Sequence, residues 1–181
     1  LHVRSAHELF PEAKLYGTAR HIERFPDLPW EPQRTEDPEL HELFADDLDF
    51  MVPRGVDFIP SNENLHFSSV LVFHRASRTL HVDDTLLYLR LPKPVRRLKA
   101  DVLRFHPTLG QVLERRRGAA GDFREWAHDL IDRTRDVDNL CAAHSAVLLG
   151  RDNTGPPISA RIEAALRKVD RKLEAHQRKH G

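Results

Sequence analysis

The spacing of apolar residues changes period part-way along the chain, and that change constrains the fold more than any other feature. Between residues 48 and 92 the apolar residues fall in short β-favouring runs: Phe50-Met51-Val52, Phe58-Ile59, Val70-Leu71-Val72-Phe73, Leu80-His81-Val82 and Leu86 to Leu91. Turn formers separate them (Pro53, Gly55, Pro60, Asn62, Asn64, Ala76-Ser77), as tightly connected strands require. Residues 68–74 and 79–84 make the clearest hairpin. Both runs are too apolar to meet water on two faces, so the sheet should be covered. From residue 94 the spacing is helical. Val95, Leu98, Val102 and Leu103 predict one face, and Leu109, Val112 and Leu113 a second, short one. Phe123, Trp126, Ala127, Leu130 and Ile131 predict a strong amphipathic helix. Leu140 to Ala143 reads as a short strand ending at His144. Asn153 to Pro157 reads as a turn, and Ile158, Ile162, Leu166, Val169 and Leu173 as a last helix. The order predicts an α/β or α+β layering, a mixed β-sheet covered by helices.

The first 46 residues are less regular. Residues 5–10 predict a short helix stopped by Pro11, 13–18 a short buried strand, 19–36 a proline-bearing surface loop with one helical turn, and 38–46 a helix with Leu40, Leu43 and Phe44 on one face. At 181 residues, 40% hydrophobic and 31% charged, the chain is expected to form a single domain over 1–181 with a real core.

Lys+Arg and Asp+Glu both number 28, so the formal net charge is zero. No global field draws the chain to nucleic acid or an anionic membrane. No run of apolar residues is long enough to span a bilayer. The run Arg115-Arg116-Arg117 and the basic positions of the last helix read as solvated faces, because no aromatic platform accompanies them. The expected partner is a small-molecule substrate, with neither nucleic acid nor membrane. The single Cys141 excludes an intrachain disulfide and a cysteine-based zinc motif. It is compatible with a reducing compartment, so the cytoplasm is the expected location.

Twelve histidines concentrate the chemical interest. His66 precedes a strand, Asp84 ends one and His144 ends another, while His2 and His7 flank the start of a short helix. Strand-end loops are where a rigid scaffold displays its chemistry. Imidazole and carboxylate together suit zinc first, and also iron or manganese. Ligands spread over distant segments need the fold to unite them.

The segment His2-Val3-Arg4-Ser5-Ala6-His7 resembles the H-x-H-x-D-H motif of the metallo-β-lactamase superfamily, with Arg4 in place of the middle histidine and Ala6 in place of the aspartate. His66-Phe67-Ser68-Ser69-Val70 is similar to that family's H-T-x-G-S-like stretch. Asp83-Asp84-Thr85-Leu86 is similar to its G-D-T-L-like stretch, and His144 falls where its last ligand follows a late strand. The resemblance covers residue 2 to about 146, in order. It implies an αββα sandwich whose first strands are absent here, so that the chain would be the C-terminal portion of a longer domain. It also implies one metal held by His2, His66 and Asp84 and a second by His7, His144 and Asp84. Asp84 would bridge the two and orient a metal-bound hydroxide that attacks a carbonyl or phosphoryl centre. Three protein ligands plus water is a workable open coordination. Arg4 is an obligate cation that cannot ligate and would instead bind a substrate carboxylate or phosphate. Glu8, Glu63 and Asp83 are neighbours that could substitute as base or ligand. The alternative is a non-catalytic binding or structural protein on the same fold, which Arg4 and Ala6 favour. A third reading is an α/β binding domain unrelated to the superfamily. His21, His41, His74, His81, His106, His128, His176 and His180 read as surface or structural residues, Trp126 as core, and Cys141 as a thiol without an activating neighbour.

Overall fold

The computed structural model describes residues 2–62, 64–65, 67, 69–91, 101–143 and 145–181. The chain divides into two compact units, 1–46 and 47–181.

The first unit holds three short helices, α1 (Val3–Leu9), α2 (Ala19–Arg24) and α3 (Pro38–Leu43). A capping box starts α2: the Thr18 hydroxyl accepts from the His21 N–H, and Thr18 N–H donates back to His21 Nδ1 at 3.3 Å. Pro38 at the first turn of α3 gives up an N–H that would have had no helical partner. The buried strand expected over 13–18 does not form. Leu15 makes one parallel bridge to Trp30, and of these residues only Gly17 is buried. A Cβ on Gly17 would lie 2.7 Å from the Trp30 ring, so the ring takes the place of a neighbouring strand. The face expected on α3 is also narrower. Leu40 is 1% exposed but Leu43 is 58% exposed, because the helix ends at Leu43. Phe44 instead meets the Tyr16 ring edge-on at 5.4 Å.

The second unit is mixed α/β. A five-stranded sheet has the order β1 (Leu48–Met51), β2 (Leu71–His74), β3 (Thr79–His81), β6 (Asn139–Cys141), β7 (Val147–Leu148). Its pairs are antiparallel except β3 with β6, which is parallel. A separate antiparallel pair joins β4 (Leu86–Leu89) to β5 (Val102–Phe105). The helices are α4 (Leu109–Val112), α5 (Ala119–Arg133) and α6 (Ile158–His180). The β2–β3 hairpin falls where the alternation places it, with Phe73 opposite Leu80. Alternate residues Leu71, Phe73 and Leu80 join the core. Helix α5 buries Phe123, Trp126, Ala127 and Leu130, and α6 buries Ile158, Ile162, Ala165, Leu166 and Leu173. Each fully buried large side chain contributes about 1.5–3 kcal/mol. Phe105, Phe123 and Trp126 pack ring against ring, with centroids 5.3 Å to 6.3 Å apart. Gly55 has φ +72° and lies so close to α5 that a Cβ would meet the Ala119 carbonyl oxygen at 2.1 Å, so only glycine fits.

Three expectations for the second unit need correcting. Val102 and Leu103 lie on β5, not on a helix face; Val95 and Leu98 are outside the described residues. The run Val102-Leu103-Arg104-Phe105 alternates in burial and β4 supplies a ladder for it, so the period of two overrides a coincidental helical spacing. Phe58-Ile59 forms no strand. The pairing nearby is one bridge, Val56 to Leu113, and Ile59 is 44% exposed. Asp84 does not end a strand: β3 stops at His81, and Asp84 stands in the turn that leads into β4. Among the described residues no helix is long and apolar enough to cross a membrane.

Candidate metal centre

In the first unit, His2 is the exposed residue that opens α1, and His7 is half-buried in its last turn. Five positions along a helix place two side chains about 140° apart around its axis, so these imidazoles do not share a face. His7 Nδ1 is buried and has no hydrogen-bond partner among the described residues, which leaves a nitrogen for a ligand. Arg4 is engaged. Its two terminal nitrogens donate to the two carboxylate oxygens of Asp27 at 2.6 Å and 2.9 Å, and its guanidinium lies 5.8 Å from the Phe25 ring centroid. The bidentate hydrogen bonds and charge of Asp27 hold the Arg4 proton more tightly, and Arg4 in turn holds the Asp27 carboxyl below its ordinary value. Both side chains are about half exposed (48% and 58%), so this is a solvated pair. Ala6 and Glu8 are exposed.

In the second unit, the described residue after His66 is hydrogen-bonded to the one after Asp84, and the one after His144 is bonded to Tyr88, three residues further on. Phe67 follows His66, Thr85 follows Asp84, and Ser145 follows His144. The buried Thr85 hydroxyl donates to the Phe67 carbonyl at 2.8 Å. Having given up its one proton there, it accepts from the Ser69 hydroxyl at 2.8 Å; the 3.3 Å approach of that hydroxyl to the Val82 carbonyl is the weaker contact. Val82 N–H donates to the Cys141 carbonyl at 3.0 Å, and Thr85 N–H closes the turn on the Val82 carbonyl at 3.1 Å. Tyr88 N–H donates to the Ser145 hydroxyl at 3.2 Å. The turn is sharp enough to force Asp83 to φ +41°, in the left-handed region that aspartate tolerates better than most residues. Asp84 is half-buried there and Asp83 exposed. His66, His144 and Glu63 lie outside the described residues. Among the described residues no three His, Cys, Asp or Glu side chains are grouped to hold a metal.

The donor chemistry of the five residues, four imidazoles and one carboxylate, fits zinc, iron or manganese. Cys141 adds nothing to it: the thiol is half-buried, and burial pushes its pKa up, away from the reactive thiolate.

Sequence reasoning missed two features of this region. His106 N–H donates to the Thr85 carbonyl at 3.1 Å, placing a second histidine's backbone beside the Asp84 turn, with its Nδ1 held 2.7 Å from the Thr108 hydroxyl. Only the β4–β5 pairing, hidden by the false helical spacing, could have shown this. The second is a buried polar network. The Tyr88 hydroxyl and Leu91 N–H donate to the Asp101 carboxylate at 2.7 Å and 2.8 Å, while the buried Arg161 donates to the Asp101 carbonyl, Asn153 Oδ1 and the Pro156 carbonyl, each at 3.0 Å. Comparison of the chain with protein-family models, with curated proteins and with solved structures gives no match.

Proposed function

We propose that the chain is a metal-dependent hydrolase-like protein of the metallo-β-lactamase type that acts on a small-molecule substrate. His66, Asp84 and His144 of the second unit are its proposed ligands, and zinc is the foremost metal. The observation that carries this reading is that the Thr85 hydroxyl bonds Phe67 and Ser69, while Tyr88, three residues further along the same segment, bonds Ser145. The segment after Asp84 thus meets the neighbours of His66 and His144, which lie 78 positions apart in sequence. A bound metal would supply Lewis acidity at a substrate oxygen and lower the pKa of an attacking water. The chain's own part is positional. The Asp83–Asp84 turn presents a carboxylate at the rim of the sheet. The Thr85 and Ser69 hydroxyls, buried beneath it, fix its backbone. The Asp84 carboxylate accepts a proton or a hydrogen bond from the water it orients.

The test is the metal content of the purified chain after expression in zinc-supplemented medium. About one or two equivalents per chain are expected, with loss of most of it in Asp84→Ala and in a His66→Ala/His144→Ala variant that still folds. Metal content at the level of a blank would refute the proposal. The alternative, a non-catalytic binding protein on the same fold, draws on a separate observation. Arg4 is already satisfied by Asp27, and Ala6 offers no carboxylate, so the His2–His7 segment carries two of the motif's four polar groups. A zinc-loaded chain that cleaves neither an activated phosphodiester nor an activated ester would favour this alternative.

A further inference from the structure

A cleft of about 770 Å³ lies in the second unit between residues 57–62 with Leu65, α4 and the C-terminal end of α6. That volume suits a small organic ligand. Lys172, His176, Lys179 and His180 reach it from one helical stripe, at i, i+4, i+7 and i+8, and Arg115 reaches it from the loop that follows α4. Among the described residues lining the cleft, three permanent cations therefore face a single carboxylate, Asp57. They outweigh the roughly half negative charge of a helix C-terminus.

One detail separates this stripe from an ordinary solvated face. The Lys172 stem lies across α4 where Gly110 has no side chain: a Cβ there would come within 2.9 Å of Lys172 Cδ. The Lys172 ammonium is anchored on the Pro107 carbonyl at 3.2 Å, with two of its three N–H donors left over.

We propose that this cleft binds a multiply charged anionic small molecule, a phosphate ester or a polycarboxylate, held by Arg115, Lys172 and Lys179. His176 and His180 stack with ring centroids 4.5 Å apart and border the same space, so they report occupancy. Desolvation and the neighbouring His180 and Lys179 keep His176 less basic than a free imidazole, against a weaker opposing pull from the Glu114 backbone. An anion in the cleft would reverse that.

The experiment is an NMR titration of the full chain with pyrophosphate and, separately, with the tricarboxylate tricarballylate, reading the ring protons of His176 and His180 at constant ionic strength. Saturable shifts of both rings and upward movement of the His176 titration midpoint are expected with at least one probe, and the tighter probe identifies the ligand class. Lys172→Glu/Lys179→Glu should weaken binding at least about tenfold, since it removes charge-assisted contacts. Lys168→Glu/Arg171→Glu, the same charge change on the same helix outside the cleft, should leave it within about twofold, as screened long-range charge predicts. Asp84→Ala should bind as the parent does, which keeps this site separate from the metal centre. No shift with either probe, or equal loss in the two double variants, would overturn the proposal.

Discussion

Thr85 gives its hydroxyl proton to the Phe67 carbonyl and takes one from Ser69, all three at 9% exposure or less. Replacing a buried donor by an isosteric methyl leaves its partners unsatisfied. Thr85→Val should therefore lose about 1–3 kcal/mol of stability, read as a lower urea midpoint at unchanged slope; an unchanged midpoint would remove the clamp from the account. Gly55→Ala meets both a left-handed backbone and the Ala119 carbonyl. It should cost more than about 2 kcal/mol in the same assay. The imidazole of His176 titrates below the ordinary 6.5 because desolvation, His180 and Lys179 oppose its charge. The folded chain then binds fewer protons than the unfolded chain as pH falls below 6.5, so this group's contribution to stability is present above that pH and lost beneath it. The measurement is the ring-proton titration of His176 in the free protein; a midpoint at or above 6.5 would contradict the packing described.

At the scale of elements, residues whose neighbours in sequence decide their structure were legible. The Leu71–His74 and Thr79–His81 hairpin, the long stripe Phe123 to Leu130, and the last helix from Ile158 all follow their apolar period. Elements that depend on a distant partner were not. Val102–Phe105 is a strand because β4 lies beside it, and Val147–Leu148 is one because β6 does; neither two- nor four-residue run carries enough period to announce itself. Residues 13–18 failed in the opposite direction, since the apolar run was present but its neighbour is the Trp30 ring. Arg161 pins the first turns of α6 to the Asn153–Pro156 turn and to Asp101 by three hydrogen bonds. A lone arginine in a basic helix gives no hint of this. Arg161→Ala should destabilise by about 2–4 kcal/mol, because Asn153 and two carbonyls lose a charged donor; hydrogen exchange should show the first turns of α6 opening first, and unchanged protection there would contradict the role.

At the scale of the whole molecule, the sequence offered five dispersed ligands and an order. For the second unit, the structure adds that the chain immediately after His66, Asp84 and His144 is drawn together by Thr85, Ser69 and Tyr88. That convergence was illegible in the sequence because it depends on a parallel pairing, β3 with β6, between strands nearly sixty residues apart. The cleft beside α6 was illegible for a related reason. The basic residues of the last helix look solvated until α4 and residues 57–62 are placed opposite them. The two proposed sites would make independent demands, one for a metal and one for an anion. The central claim is the metal centre, and the direct test is a crystal structure of the zinc-soaked full chain with anomalous differences collected at the zinc edge. The account predicts a peak with His66, Asp84 and His144 donor atoms among its ligands, at about 2.0–2.2 Å. A peak ligated by other residues, or those three side chains turned away from a common centre, would contradict it.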